Sequence, residues 1–198
     1  MQLLWVNLVT DSLPAISLGV EPAEKDIMKR KPIPPSKGLF ADGLVFKIIF
    51  EGIMIGSLAL CAFVIGVHYF DGHEIHSGEA PVYGRTMAFC VLSLSQLFHA
   101  FNMRSAKSIF SIGLFTNPKL IMSFIICTLL QIGVVMFPPL TIIFGVIPLN
   151  KMQWAIVLFL FMLLVICYII YCCITILYTR IIHACHTVTC TKLLYCSR

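Results

Sequence analysis

The sequence predicts an all-α fold, a polytopic membrane helix bundle of about five transmembrane helices. Three observations carry this. Of the 198 residues, 59% are hydrophobic and 12% charged, against roughly 25% charged in soluble domains. The mean hydropathy is +0.95. Apolar segments long enough, or nearly so, to cross the hydrocarbon recur at residues 2–20, 44–70, 87–103, 120–137 and 152–177. One aqueous core cannot enclose that much apolar surface, so a soluble enzyme is excluded.

The first segment, WVNLVTDSLPAISLG, places Asn7, Thr10 and Asp11 at i, i+3 and i+4, which predicts their oxygens on one face of a helical turn. A carboxylate at that depth costs about 2.5–3.5 kcal/mol on insertion scales, so it faces a polar pathway or a partner. Pro14 offers no N–H to the Thr10 carbonyl and is expected to loosen the helix just beyond Asp11. Freed backbone oxygen beside Asn, Thr and Asp side chains suits a hard cation such as calcium. A single Asp hydrogen-bonded between helices, with an ordinary proline kink, fits the same pattern. Met1 runs into this segment with neither a basic region nor an A-x-A cleavage site, so the segment is expected to be retained.

Residues 21–43 form a Pro-rich polar loop in which Pro32, Pro34 and Pro35 forbid helix. In the second segment, the Gly52-xxx-Gly56 spacing reads as a close-packing surface. Glu51 is placed near the interface, within reach of headgroups or the basic loop, and is not read as an ion ligand. An acidic, His-containing connection follows at 71–84. In the third segment Gln96, His99 and Asn102 share a stripe, either as polar glue between helices or as the lining of a pathway. After the loop at 104–119 and the fourth segment, residues 138–151 read as an apolar hairpin with paired prolines.

The tail carries His183, Cys185, His186 and Cys190, whose spacing matches no standard zinc pattern and is read as chance. Cys61, Cys90, Cys127, Cys167, Cys172 and Cys173 lie in apolar stretches as free thiols, and disulfides are not expected.

Lys and Arg set the orientation. Lys25, Lys29, Arg30, Lys31 and Lys37 in the first loop share a side with Arg104, Lys107, Lys119 and the tail's Arg180, Lys192 and Arg198, whereas the opposite side has Arg85 and Lys151. The 21–43 loop and the tail are therefore expected in the cytosol. A first helix entered from the far side is unusual unless other spans precede it. The nine carboxylates, Asp11 to Glu79, all lie before residue 80 and confine a charge-based cation site to the first half. No phosphate-cradling GxxxxGK[ST] loop, catalytic triad or basic, aromatic-interleaved surface occurs. No catalytic or cofactor-binding residues are assigned, and no nucleic-acid partner is expected.

The stretch QLLWVNLVTDSLPAISLGVEPAEKDIMKRKP resembles the sixth transmembrane helix and following cytosolic loop of type II P-type ATPases, the calcium pumps of sarcoplasmic-reticulum and bacterial kind. FEGIMIGSLAL resembles the seventh helix, LSLSQLFHAFNMRS the eighth, and FPPLTIIFGVIPLNKMQW the hairpin between the ninth and tenth, so the likeness spans residues 1–165. By this resemblance Asn7 and Asp11 match membrane calcium ligands, and Thr10 a ligand of the additional site in two-site pumps. Gln96, the weaker candidate, stands where two-site pumps place a glutamate, as in single-site pumps. Sodium pumps share the PAIS and DIMKR parts but carry an acid at the position of Asn7.

The resemblance implies calcium as the transported ion, with ATP and magnesium acting only through domains missing here, since DKTGT, TGE, GDGVND and PEGL are all absent. This chain alone is expected not to hydrolyse ATP. The implied organisation is an ion-site helix at 1–20, a cytosolic loop at 21–43, a four-helix bundle at 44–178 and a cytosolic tail at 179–198. After residue 166 the Cys-rich, acid-free tail departs from the family pattern, as a frameshift or real divergence would produce. The partners implied are the lipid bilayer and the rest of the pump, its first five helices and cytosolic domains; the location implied is the plasma membrane. The competing readings are a non-enzymatic membrane scaffold or partner, and a fragment of a related sodium- or proton-type pump.

Overall fold

Long apolar runs leave the backbone no water to bond with, so its polar groups must pair internally, and helix is the result. The computed structural model describes residues 1–22, 28, 32, 38, 44–72, 81–104 and 116–196, with side chains described as far as Tyr178. Every regular element among them is helical: α1 (Gln2–Trp5), a π-helical turn (Val6–Thr10), α2 (Ser12–Gly19), α3 (Leu44–Tyr69), α4 (Val82–Asn102), α5 (Pro118–Met136), α6 (Pro138–Phe144) and α7 (Lys151–Cys196). Residues Met1–Leu164 form one compact unit and Val165–Arg198 another. The 21–43 loop, apart from its first two residues and three isolated positions, most of the 71–84 connection and the tail side chains lie outside the described residues.

Among the described residues, three helices are long and apolar enough to cross a membrane: Leu44–Tyr69, Pro118–Met136 and Lys151–Tyr178. The remaining two expected spans differ for physical reasons. The first segment is divided by its π turn. The third, α4, carries Arg85, Gln96 and His99, yet it is the most enclosed helix, burying Met87, Cys90, Val91, Leu94, Leu97 and Phe101 against its neighbours. A helix sheathed by other helices does not need a lipid-soluble surface on every side.

The α3–α4 pair is packed along the stripe Glu51, Ile55, Leu58, Ala62 and Gly66. The closest approach is at Gly66 and Gly84. A Cβ on Gly66 would sit 2.7 Å from the Gly84 nitrogen, and one on Gly84 would sit 2.8 Å from the Phe63 carbonyl oxygen. This corrects the sequence expectation, because added Cβ atoms at Gly52 and Gly56 would meet nothing within 4 Å. Both lie off the stripe that faces α4. Asp71, 0% exposed, closes the end of this pair by accepting from the backbone N–H of Tyr83 (3.0 Å) and Gly84 (2.7 Å). The carboxylate thereby satisfies donors that the first turn of α4 leaves unpaired.

Residues 138–151 open as a helix rather than a hairpin. Pro138 and Pro139 occupy the first positions of α6, where a missing N–H costs nothing, and Gly145 ends it in the left-handed conformation at φ +59°. Asn150 and Gln153 then cap α7 reciprocally, each backbone N–H donating to the other's side-chain oxygen at 2.7 and 3.0 Å.

Candidate ion site

The helix is irregular one turn earlier than Pro14 led us to expect: a π turn occupies Val6–Thr10, before Asp11, and α-helix runs from Ser12 through Pro14. The Asp11 N–H reaches back five residues to the Val6 carbonyl at 3.2 Å, and α-helical pairing resumes with Ala15 N–H on the Asp11 carbonyl at 3.0 Å. The proline ring crowds the carbonyl four residues earlier and cannot bond to it. The π turn ends at Thr10, the residue that bears that carbonyl, and single π turns of this kind recur at functional sites.

This geometry divides the three sequence-chosen residues. Thr10 turns inward, 1% exposed, and its Oγ1 donates to the Val6 carbonyl at 2.5 Å. Asn7 and Asp11 are exposed, together with Leu3, Leu4, Leu8, Ala15 and Ile16. The back of the segment, Val6, Thr10, Pro14 and Ser17, is buried. The single oxygen-lined face expected from i, i+3, i+4 spacing is thus split between an open side bearing Asn7 and Asp11 and a closed side bearing Thr10. Gln96 is half-buried on α4, which packs against the π turn and α2. Among the described residues no three His, Cys, Asp or Glu side chains converge as a metal site. Asp11 is the only acid on the first segment, so a cation held there would need oxygens from elsewhere.

Both ends of the segment are tied to α5 and its surroundings. At one end the Trp5 Nε1 donates to Gln131 Oε1 at 3.0 Å, its ring meets Phe144 edge-on at 5.2 Å, and Gln2 Nε2 donates to the Phe144 carbonyl at 3.1 Å. Val6, Phe89, Val134 and Val146 form the apolar cluster beneath. In the middle the Cys127 thiol lies 3.5 Å from the Val9 carbonyl. At the other end Ser17 Oγ donates to the Lys119 carbonyl at 3.3 Å, and Asn117 Nδ2 donates to the Ser17 carbonyl at 3.0 Å and to Glu21. Arg104 completes that end with an ion pair to Glu21 and a 2.6 Å bond to Thr116.

Sequence reasoning missed Trp5, Gln131, Asn117, Glu21 and Arg104 as positioning residues. The available signals were Asn117-Pro118, a helix-start pair, and a lone Gln inside an apolar run. Asn117 also accepts from the Leu120 N–H at 3.1 Å as the cap of α5. Asn117→Ala is expected to cost about 1–2 kcal/mol through the lost cap, plus the orphaned Ser17 carbonyl. It should lower the midpoint of thermal unfolding in lipid nanodiscs, and an unchanged midpoint would remove Asn117 from this role.

Glu51 also differs from expectation. It is 3% exposed on the α4-facing stripe, with Oε2 at 3.2 Å from His99 Nδ1 and Oε1 at 3.9 Å from Lys47 Nζ, so its described neighbours are on α3 and α4.

A profile of the family described as "Cation transporting ATPase, C-terminus" matches residues 1–178. The chain is 46% identical over 169 residues to "Calcium-transporting ATPase 1" of Bacillus cereus, covering 81% of this chain and 19% of that one. It is 40% identical over 158 residues to "Calcium-transporting ATPase" of Bacillus subtilis, covering 80% and 17%. With "Calcium-transporting ATPase 3, endoplasmic reticulum-type" of Arabidopsis thaliana it shares 30% over 181 residues, covering 81% and 18%. The chain therefore spans under a fifth of the length of these relatives.

Proposed function

Because this chain belongs to the family of carboxy-terminal regions of cation-transporting P-type ATPases, we propose that it supplies part of the ion-binding membrane domain of a calcium pump. Asp11 and Asn7 are the ligands offered from the open side of the π turn. Thr10 contributes by holding that turn, or through its oxygen once the turn repitches, and Gln96 adds at most one neutral oxygen. The observation that carries the reading is an exposed carboxylate and carboxamide on a helix turn whose back is buried and whose ends are fixed. Such a turn presents oxygen to a neighbour rather than to lipid. Energy input from ATP and magnesium belongs to the partner part of the pump, the first five helices and the cytosolic domains. The five-span arrangement goes with this reading, the divided first segment and the sheathed α4 joining the three apolar spans.

Calcium uptake into vesicles holding this chain assembled with that partner part tests the proposal. Calcium-dependent acyl-phosphate formation and a ratio near one calcium per ATP are expected, because a second divalent ion needs carboxylate compensation that Gln96 cannot give. No uptake above the partner part alone would favour a scaffold role. A ratio near two would show that Gln96 does not set the count.

The proposed orientation puts residues 21–43 in the cytosol and the 73–80 connection outside, in the plasma membrane. A cysteine at Ser77 should react with an impermeant thiol reagent on intact cells, and one at Ser36 only after lysis. The reverse pattern would invert the topology; silence at both positions before lysis would place the chain in another membrane.

A further inference from the structure

The connection between α5 and α7 is unlike one that lies in water. No charged side chain occurs from Ile132 to Asn150. Within it α6 has two faces. Leu140 and Phe144 pack inward onto the cluster of Val6, Phe89, Val134 and Val146, with Thr141 buried beside them. Pro138, Pro139, Ile142 and Ile143, at i, i+1, i+4 and i+5, make up the other face, and all four are exposed, Ile142 to 81% and Ile143 to 59%. An apolar face left open in this way calls for a partner.

The backbone of this stretch needs little from water. A helix start ordinarily leaves its first N–H groups unpaired. Here Pro138 and Pro139 have none, and Leu140 and Thr141 both donate to the Phe137 carbonyl, at 2.9 and 3.1 Å. At the other end the Gly145 and Val146 N–H groups donate back into α6 at 3.3 and 3.0 Å. The Phe144 carbonyl accepts from Gln2, the Gly145 carbonyl accepts from Arg85, and the Ile147 N–H donates to Thr86 Oγ1 at 3.3 Å. Polar groups paired within the protein tolerate a medium that offers no partners.

The position of α6 fits such a medium. α5 has 19 residues, a rise of about 28 Å, which barely crosses roughly 30 Å of hydrocarbon. The chain therefore reaches Phe137 at the boundary, and α7 starts back from Lys151. Arg85, bonded to the residue that ends α6, and Lys151 are exposed cations whose charge matches lipid phosphates.

We propose that α6 is an interfacial helix, with Pro138, Pro139, Ile142 and Ile143 seated among the upper acyl chains of the leaflet at that end of the bundle and Arg85 and Lys151 at headgroup level. Lipid is the occupant because the face carries no hydrogen-bonding side chain, is flanked by cations and sits at the height where α5 ends. The seat is separate from the ligands proposed on the first segment. Through Phe144, which meets Trp5 edge-on and accepts from Gln2, it also fastens the start of that segment to the leaflet.

The test uses the full chain in phosphatidylcholine nanodiscs with 13C-labelled isoleucine methyls. Ile142, Ile143 and, as a reference exposed near the middle of α3, Ile53 are identified by the signals lost in Ile142→Val, Ile143→Val and Ile53→Val. Three relaxation probes are compared: a nitroxide near the top of a lipid acyl chain, a nitroxide at the chain end, and a gadolinium chelate confined to water. For a face seated about 5–10 Å into the acyl boundary, Ile142 and Ile143 should relax about twofold or more faster with the upper nitroxide than with either other probe. Ile53 should respond most to the chain-end nitroxide. A dominant effect of the chelate on Ile142 and Ile143 would put α6 in water, and a dominant effect of the chain-end nitroxide would put it deep in hydrocarbon. No effect of any probe there, with Ile53 responding, would mean that protein, such as a second copy of the chain, covers the face. Each of these three results overturns the proposal.

Discussion

Asp11→Asn in the assembled pump is expected to lower calcium affinity by roughly a hundredfold or more, the scale of about 3 kcal/mol for removing one partner of a desolvated charge pair. Among Asn7, Thr10 and Asp11 only Asp11 carries a negative charge to offset dehydration of a divalent ion. The substitution keeps the side chain's shape, and Asp11 lies on the exposed side of the turn, so insertion and thermal stability should not change. Calcium-dependent phosphorylation should be lost at calcium concentrations that saturate the unsubstituted pump. Asn7→Ala removes one neutral oxygen and should cost closer to tenfold. An Asp11→Asn pump with ordinary calcium affinity would leave Asp11 as a polar residue at a helix interface and end its assignment as a ligand.

Gly66→Ala is expected to have the largest effect on stability. The new methyl would lie 2.7 Å from the Gly84 nitrogen and 3.1 Å from the Tyr83 carbonyl carbon. Both are backbone atoms of α4, which cannot rotate away as a side-chain tip would, so the helices must separate along their whole contact. Overpacking of this kind costs about 1–3 kcal/mol, and a backbone-on-backbone clash belongs at the upper end. The separation should also loosen Asp71 from the Tyr83 and Gly84 N–H groups. Gly56→Ala is the matched control and should be neutral, because its Cβ would meet nothing. Thermal unfolding of the two variants in the same lipid decides it, and equal midpoints would show that the Gly66–Gly84 crossing is not the tight point of the pair.

The control also shows where sequence stopped being informative. Helix content was readable because a chain in hydrocarbon has few alternatives, and the apolar runs at 44–70 and 120–137 match Leu44–Tyr69 and Pro118–Met136 closely. Which face of α3 meets α4 was not readable: apart from Lys47, Glu51, Ser57 and His68 the helix is apolar on every side, so periodicity gives no phase, and the Gly52-xxx-Gly56 spacing drew attention to the wrong side. The third apolar segment reads from residue 87 in the sequence. In the structure Arg85 donates to the Gly145 carbonyl at 2.8 Å and the helix begins at Val82. At the candidate site the presence of an irregular turn was legible, whereas its place before Asp11 and the inward turn of Thr10 were not. The inward turn follows from the π pairing of Asp11 with Val6, which i, i+3, i+4 spacing on an α-helix does not anticipate.

The ties at the two ends of the first segment have a mechanical consequence. Trp5 and Gln2 hold one end, Ser17 and Glu21 the other, and the stretch from Val6 to Asp11 between them has its regular pairing rearranged. A rod fixed at both ends cannot slide or tilt as a whole when a load is applied at its centre. It can only change pitch there, over about one turn. The strain generated by a ligand drawn to Asp11 is then delivered to the two anchors, both on or next to α5, as equal and opposite pulls along that helix. α5, with its lone Gln131 and its capping Asn117, acts as the tie-beam of this frame, and the stiffness with which the segment answers an ion is set by a helix that contributes no ligand.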